Sequence, residues 1–152
     1  MQSYYQASRN TEIDQPELIG DHVADVCVIG GGYTGLSTAL YLANEGVSVL
    51  LIESNQIASG ASGANGGQVS GGMRRDQFYL EKALGVDYAK VLWGIGEKSK
   101  YHAKDLIDKY QIQCDYKKGI AHPNHKQKYC EESKQYVDHM IKNYDYKDMV
   151  YL

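Results

Sequence analysis

The chain has 152 residues, of which 43% are hydrophobic and 23% charged, the composition of a folded globular domain and not of a disordered chain. Its net charge of −3 supplies no general basic field for nucleic acid or an anionic membrane. The apolar runs are only a few residues long, against ~20 for a bilayer-spanning helix. No secretory signal is visible at the N-terminus, and the three cysteines, Cys27, Cys114 and Cys130, are widely spaced. A disulfide framework is therefore not expected, and a cytoplasmic setting is.

Residues 1–24, punctuated by Pro16 and Gly20, are expected to be irregular. Asp25-Val-Cys-Val-Ile29 reads as a short buried parallel strand, with Cys27 as a small buried hydrophobe. After Gly30-Gly-Gly-Tyr-Thr-Gly35, the apolar positions Leu36, Ala39, Leu40 and Ala43 recur at helical spacing, and Gly46 supplies a stop. Val47 to Glu53 reads as the next buried strand. Together these make one βαβ unit.

Twelve of the sixteen glycines fall between Gly20 and Gly72, and no Lys or Arg lies between Arg9 and Arg74. From Glu97 onward eleven Lys face nine acids, which reads as solvated helix surface. A helix is expected over 76–84 and a longer one over 87–109, in which Gly94 and Gly96 mark a break. Ile112, Cys114 and Tyr116 alternate as in a strand, and Lys117-Lys-Gly119 predicts a turn into a second strand around 120–122. A lysine-rich helix is expected over 126–143.

Gly30-x-Gly32-x-x-Gly35 has the spacing of the dinucleotide-binding fingerprint. It follows a hydrophobic strand and opens a helix, and an acid, Glu53, ends the next strand. Gly30 permits a sharp turn, Gly32 keeps side chains away from a pyrophosphate, and Gly35 allows the helix close to the sheet. Backbone N–H groups at a helix N-terminus hold phosphates without cationic side chains. The absence of Gly-Lys-Ser/Thr after the turn opposes a P-loop. Glu53 suits ribose hydroxyls and repels a 2′-phosphate, which disfavours NADP. FAD and NAD share the fingerprint. A second loop rich in Gly, Ser and Asn, Ser59 to Val69, offers a path along which a longer cofactor continues.

Three segments carry a resemblance: Asp25 to Ser37, Leu51-Ile-Glu53, and Gly60-Ala-Ser-Gly-Ala-Asn-Gly-Gly-Gln68. They resemble the FAD-dependent D-amino acid oxidase (DAO) superfamily, and within it the gamma-glutamylputrescine oxidoreductase type. Ser3-Tyr-Tyr-Gln-Ala-Ser8 and Tyr110-Gln-Ile-Gln-Cys-Asp115 are similar to that subgroup too. The resemblance implies FAD as cofactor, with Gly30, Gly32, Tyr33, Thr34 and Gly35 around the pyrophosphate and Glu53 at the adenosine ribose. Ala61 and Ser62 would continue the groove, and Gly66, Gly67 and Gln68 would approach the flavin. The family often carries Arg where this chain has Ala64, which removes a charge-assisted contact. The reaction implied is oxidation of an amine or amino acid C–N bond, in which the flavin carries the hard chemistry.

The implied fold is α/β. It is an incomplete Rossmann-like FAD/NAD(P)-binding βαβ unit with additional helices and the start of a substrate domain. The expected organisation is an N-terminal extension over 1–24, part of an FAD-binding domain over 25–110, and the start of a substrate-domain hairpin and helix over 111–152. One βαβ unit lacks the third parallel strand of a usual half-domain, so the chain reads as the N-terminal portion of a longer enzyme. The alternative is a non-catalytic dinucleotide-binding remnant. Cys114, His122, His125 and Cys130 lack the paired spacing of a zinc site, so no metal is expected. The expected partner is a small amine or amino acid, with no nucleic acid and no membrane segment. No catalytic residue is assigned.

Overall fold

The computed structural model describes residues 3–11, 13 and 15–152. The chain divides into two compact units, one ending at Gly67 and the other running from Gln68 to Leu152. The first opens with a short helix, α1 (Tyr4–Ser8), where irregular chain was expected. Its signal is the spacing Ser3-x-x-Gln6. The Ser3 hydroxyl accepts from the Gln6 N–H at 3.2 Å, and the Gln6 side chain accepts from the Ser3 N–H at 2.8 Å. This reciprocal box satisfies two otherwise orphaned donors.

Strand β1 (Val26–Ile29), helix α2 (Tyr33–Asn44) and strand β2 (Val49–Ile52) form the expected βαβ unit. The strands pair in parallel, Val26 opposite Val49 through Ile29 opposite Ile52. Asp25 and Ser48 close the base of the unit, the Asp25 carboxylate accepting from the Ser48 N–H at 3.0 Å. Gly46, at φ +80°, terminates the α2 turn. Helix α2 packs on both strands and covers the face carrying Val28. Side chains alternate across a strand, so Cys27 and Ile29 point to the opposite face. Cys27 is exposed, not buried as expected, and Ile29 is 83% exposed. No apolar side chain among the described residues of this unit is fully buried. The fold is thus a small parallel sheet with helices, an incomplete Rossmann-like unit.

The second unit contains α3 (Gln77–Leu84), α4 (Val86–Lys109) and α5 (Gln127–Tyr144). Asp76 caps α3 by accepting from the Tyr79 N–H at 2.8 Å. Gly85, at φ +85°, separates α3 from α4. Helix α4 is continuous, so the break expected at Gly94 and Gly96 is absent. Gly96 serves close packing instead. A Cβ there would lie 2.5 Å from the Gly72 nitrogen, while one on Gly94 would meet open space.

The hairpin expected between 112 and 122 is also absent: no strand forms among these residues. Their backbone bonds are local, with the Ile112 N–H donating to the Ile107 carbonyl at 2.9 Å. Gln111 and Asp115 adopt φ near +50°, which breaks an extended run, and the whole stretch is exposed. Alternation without a sheet to join does not make a strand.

Leu80, Ala89 and Met140 form the buried apolar centre of this unit, and the buried Gln77 side chain donates to the Ala89 carbonyl at 3.0 Å. Beside it Glu81 accepts from the Tyr144 hydroxyl at 2.7 Å and pairs with His139 Nε2 at 2.8 Å. Burial opposes the charge on Glu81, but the bonds from Tyr144 and His139 outweigh it and hold the carboxyl below its ordinary range. Burial, then the bond to Glu81, pushes the Tyr144 hydroxyl up to about 12.

Two outcomes follow for the stability of this unit. Gly94→Ala is expected to raise its folding stability through helix propensity, by up to ~1 kcal/mol. Gly96→Ala should lower it through overpacking, by ~1–3 kcal/mol; thermal melts of both variants check the contrast. The folded chain holds the Tyr144 proton more tightly than the unfolded chain, where tyrosine ionises near ~10. The contribution of Tyr144 is therefore full below that value and fades as pH rises toward 12. Denaturant titrations between pH 8 and 12 should show Tyr144→Phe less stable by ~1 kcal/mol at pH 8 and lacking part of the alkaline loss.

Candidate functional site

The site begins where β1 turns into α2. Gly30, at φ +102°, makes a bend that an L side chain rarely tolerates. Its N–H donates to the Ile52 carbonyl at 2.8 Å, extending the sheet ladder into the turn. A Cβ on Gly35 would overlap the Gly30 carbonyl oxygen and touch Val28 Cγ1 at 3.4 Å. Helix and strand therefore approach to backbone contact.

Gly32 is the N-cap of α2 and brings no capping side chain. The Tyr33 N–H is met from a distant segment instead, donating to the Ser62 hydroxyl at 3.0 Å. A Cβ on Gly32 would stand 2.9 Å from that hydroxyl. The N-terminal end of the helix thus faces the second glycine-rich loop across a narrow gap.

Glu53, just beyond β2, closes the other side. Its carboxylate accepts from the Gly31 N–H at 2.7 Å and the Asn55 N–H at 2.9 Å. The Gly31 amide first, then the Asn55 amide, holds its pKa below the ordinary carboxylate value. The loop beyond folds back over the turn. The Ala58 N–H donates to the Gly31 carbonyl at 3.0 Å, and residues Ala61–Gly63 form a 3-10 turn. Asn65 donates to the Ser62 carbonyl at 2.7 Å and to the Tyr33 hydroxyl at 3.1 Å, and accepts from the Gly67 N–H at 2.7 Å.

These segments enclose a hollow of about 220 Å³ lined by Gly32, Glu53, Asn55 and residues 58–62. Of the residues expected from sequence, Gly32, Glu53, Ala61 and Ser62 line it. Tyr33 joins through its amide and hydroxyl. Gly30 and Gly35 shape the turn behind, and Thr34 lies in the first turn of α2 outside the lining. Gly66 and Gly67 follow Asn65 beyond the hollow, and Gln68 begins the second unit. Asn55, Ala58, Ser59 and Gly60 were not singled out beforehand. Ser59 and Gly60 open the Gly/Ser-rich loop, which was the available signal. Among the described residues, no group of three or more His, Cys, Asp and Glu could hold a metal.

The arrangement offers hydrogen-bond donors at the N-terminus of a helix and an ionised carboxylate opposite, with no cationic side chain in the lining. Such a combination is chemically suited to a phosphate, through backbone dipoles, and to sugar hydroxyls, through the carboxylate.

A family model described as FAD dependent oxidoreductase (DAO) matches residues 25–149. The chain is 44% identical over 117 residues to the gamma-glutamylputrescine oxidoreductase of Escherichia coli (strain K12), covering 77% of this chain and 28% of that protein. It is 42% identical over 121 residues to a probable oxidoreductase OrdL of Haemophilus influenzae, covering 80% of this chain and 28% of that protein. A second probable OrdL, from Rhizobium meliloti, is 32% identical over 150 residues, 99% of this chain and 35% of its own length. The chain thus spans about a third or less of these relatives. No solved structure matches.

Gly35→Ala is expected to be the most damaging single methyl in the first unit, because the added carbon has backbone on its far side. A loss of ~1–3 kcal/mol should appear in denaturant unfolding followed by far-UV circular dichroism. Glu53 contributes stability above its unfolded pKa, and loses it as pH falls through its lowered folded value. Acid titration from pH 6 to 2 should show Glu53→Gln missing that part of the acid loss.

Proposed function

The chain belongs to the family of FAD dependent oxidoreductases, which binds FAD, and from that premise we propose that its hollow receives the adenosine diphosphate half of the cofactor. The single observation carrying this reading is the gap between the N-terminal end of α2, whose N-cap Gly32 brings no side chain, and the Glu53 carboxylate. A Cβ on Gly32 would close that gap against Ser62, so a phosphate cradle here requires glycine. Gly30, Gly32, Tyr33, Thr34 and Gly35 surround the pyrophosphate in this reading. Glu53 accepts from the ribose hydroxyls, and Ala61 and Ser62 continue the groove. Gly66, Gly67 and Gln68 lead toward the flavin. The amides of Gly31 and Asn55 keep Glu53 ionised, which disfavours the 2′-phosphate of NADP.

When bound, FAD supplies the electron acceptor for oxidation of a C–N bond in an amine or amino acid, giving an imine that water hydrolyses. The name of the Escherichia coli relative supports a gamma-glutamylated amine as substrate class. A D-amino acid or glycine oxidase type of substrate is the neighbouring choice within the same chemistry. Three free cysteines support a reducing, cytoplasmic setting. No helix among the described residues is long and apolar enough to cross a membrane.

We further propose that the chain acts as the N-terminal part of a longer flavoenzyme, with residues 25–110 in the FAD-binding domain and 111–152 beginning a substrate domain. The support is physical. Cys27 and Ile29 on one sheet face are exposed, and no apolar side chain among the described residues of the first unit is fully buried. An open apolar sheet face favours a covering layer. The same observation favours a second reading for the 152 residues alone, a nucleotide-binding piece without turnover.

Titration of the purified chain with FAD, followed by quenching of flavin fluorescence, is expected to give weak saturable binding and no amine-dependent bleaching. Glu53→Ala should weaken that binding roughly tenfold, through the loss of a charge-assisted hydrogen bond. No saturable binding would falsify the cofactor reading. Yellow cofactor retained through gel filtration and bleached by an amine would instead sink the dependence on a longer chain.

A further inference from the structure

We propose that Tyr5 and Gln15 act together as a strap, as positioning residues that hold the loop from Ile57 to Gly67 in its cofactor-facing shape. The inference rests on the cofactor reading above and adds residues that lie outside the fingerprint.

The strap touches the loop at both ends. Near its start, the Gln15 side-chain oxygen accepts from the Ile57 N–H at 3.1 Å, across 42 residues of chain. At its far end, the Tyr5 hydroxyl stands where a Cβ on Gly67 would fall, and Gly67 sits at φ +72°. A larger residue at 67 would thus strain the backbone and collide with Tyr5. Helix α1 carries Tyr5. Its capping box closes both ends of its first turn, and the Ser8 hydroxyl donates to the Tyr4 carbonyl at 2.8 Å.

The contact at Ile57 reaches the site through one further residue. A Cβ on Gly31 would lie 2.5 Å from Ile57 Cδ1, so the Ile57 side chain lies over Gly31. Gly31 in turn donates to Glu53 at 2.7 Å and accepts from the Ala58 N–H at 3.0 Å. Gln15 therefore fixes Ile57, and Ile57 covers the amide that orients the carboxylate. At the other end, Gly67 donates to Asn65, which bonds the Tyr33 hydroxyl and the Ser62 carbonyl. Releasing the strap frees the loop from both directions and leaves the βαβ unit itself intact.

The experiment uses the full chain, with amide hydrogen exchange resolved by residue and ADP as the titrated probe. In Gln15→Ala the Ile57 amide is expected to exchange about fivefold to tenfold faster, the effect of one lost exposed hydrogen bond. In Tyr5→Ala the Gly67 amide, which donates to the Asn65 side chain, should quicken in the same way. Gln15→Glu keeps an acceptor and should restore protection at Ile57. The dissociation constant for ADP is expected to rise about fivefold in both alanine variants, and to return toward wild type in Gln15→Glu.

Unchanged exchange in both alanine variants overturns the strap, as does faster exchange with unaltered ADP affinity. A wild-type chain that binds no ADP overturns the cofactor reading, and the exchange data then decide the strap by themselves.

Discussion

The hydrogen bond from the Gly31 amide to the Glu53 carboxylate, 2.7 Å long, ties the ends of the two strands together. It joins the turn after β1 to the residue after β2, so the two sides of the hollow keep their spacing. One carboxylate takes two backbone donors, Gly31 and Asn55, and its charge is favoured by both. Removing the acid would leave those donors to water and the walls without a link. The carboxylate thus serves the fold of the loop before it serves a ligand, which explains its place at the strand end.

The two halves of the chain hold themselves together by different means. The first relies on backbone contact: a helix close enough to a strand that a methyl at Gly35 would overlap a carbonyl. It has little buried apolar surface to spend. The second relies on side chains, with Met140 and Ala89 at its centre and a polar cluster of Glu81, His139 and Tyr144 beside them. Such a cluster specifies how α3 and α5 meet, because each donor has one acceptor in reach. Phe78 adds ring contacts to His139 at 4.6 Å and to Tyr136 at 5.4 Å.

The βαβ unit was legible because three independent signals agree there: β-branched runs, a glycine spacing and a helical period. The helices expected over 76–84 and 126–143 form over 77–84 and 127–144, the second legible as a lysine-rich solvated surface. What escaped the sequence depends on tertiary context. Gly96 reads as a helix breaker until the backbone of Gly72 is seen against it. Ile112, Cys114 and Tyr116 alternate correctly for a strand, yet no partner strand lies beside them. Cys27 sits in an apolar run, but its face of the sheet has no covering layer. In the site, Gly32 and Glu53 could be found by spacing. The bond from the Tyr33 amide to Ser62 spans 29 residues and carries no local signature.

The absence of Lys and Arg between Arg9 and Arg74 follows from the same economy. If the hollow of about 220 Å³ takes the cofactor phosphate as proposed, a lysine reaching into it would fill the space that phosphate needs. A flexible ammonium would also lose rotamer freedom on each binding event. Amides held by the helix and by the loop are already ordered, so their orientation is set before a ligand arrives. The demand then moves from charge to geometry, because a dipole helps only if it is aimed. That is why glycine, which gives up side-chain contacts for backbone placement, dominates this part of the chain. The proposed role of a residue as distant as Gln15 follows the same logic: with no cation to compensate for a misplaced amide, a contact that fixes the loop counts.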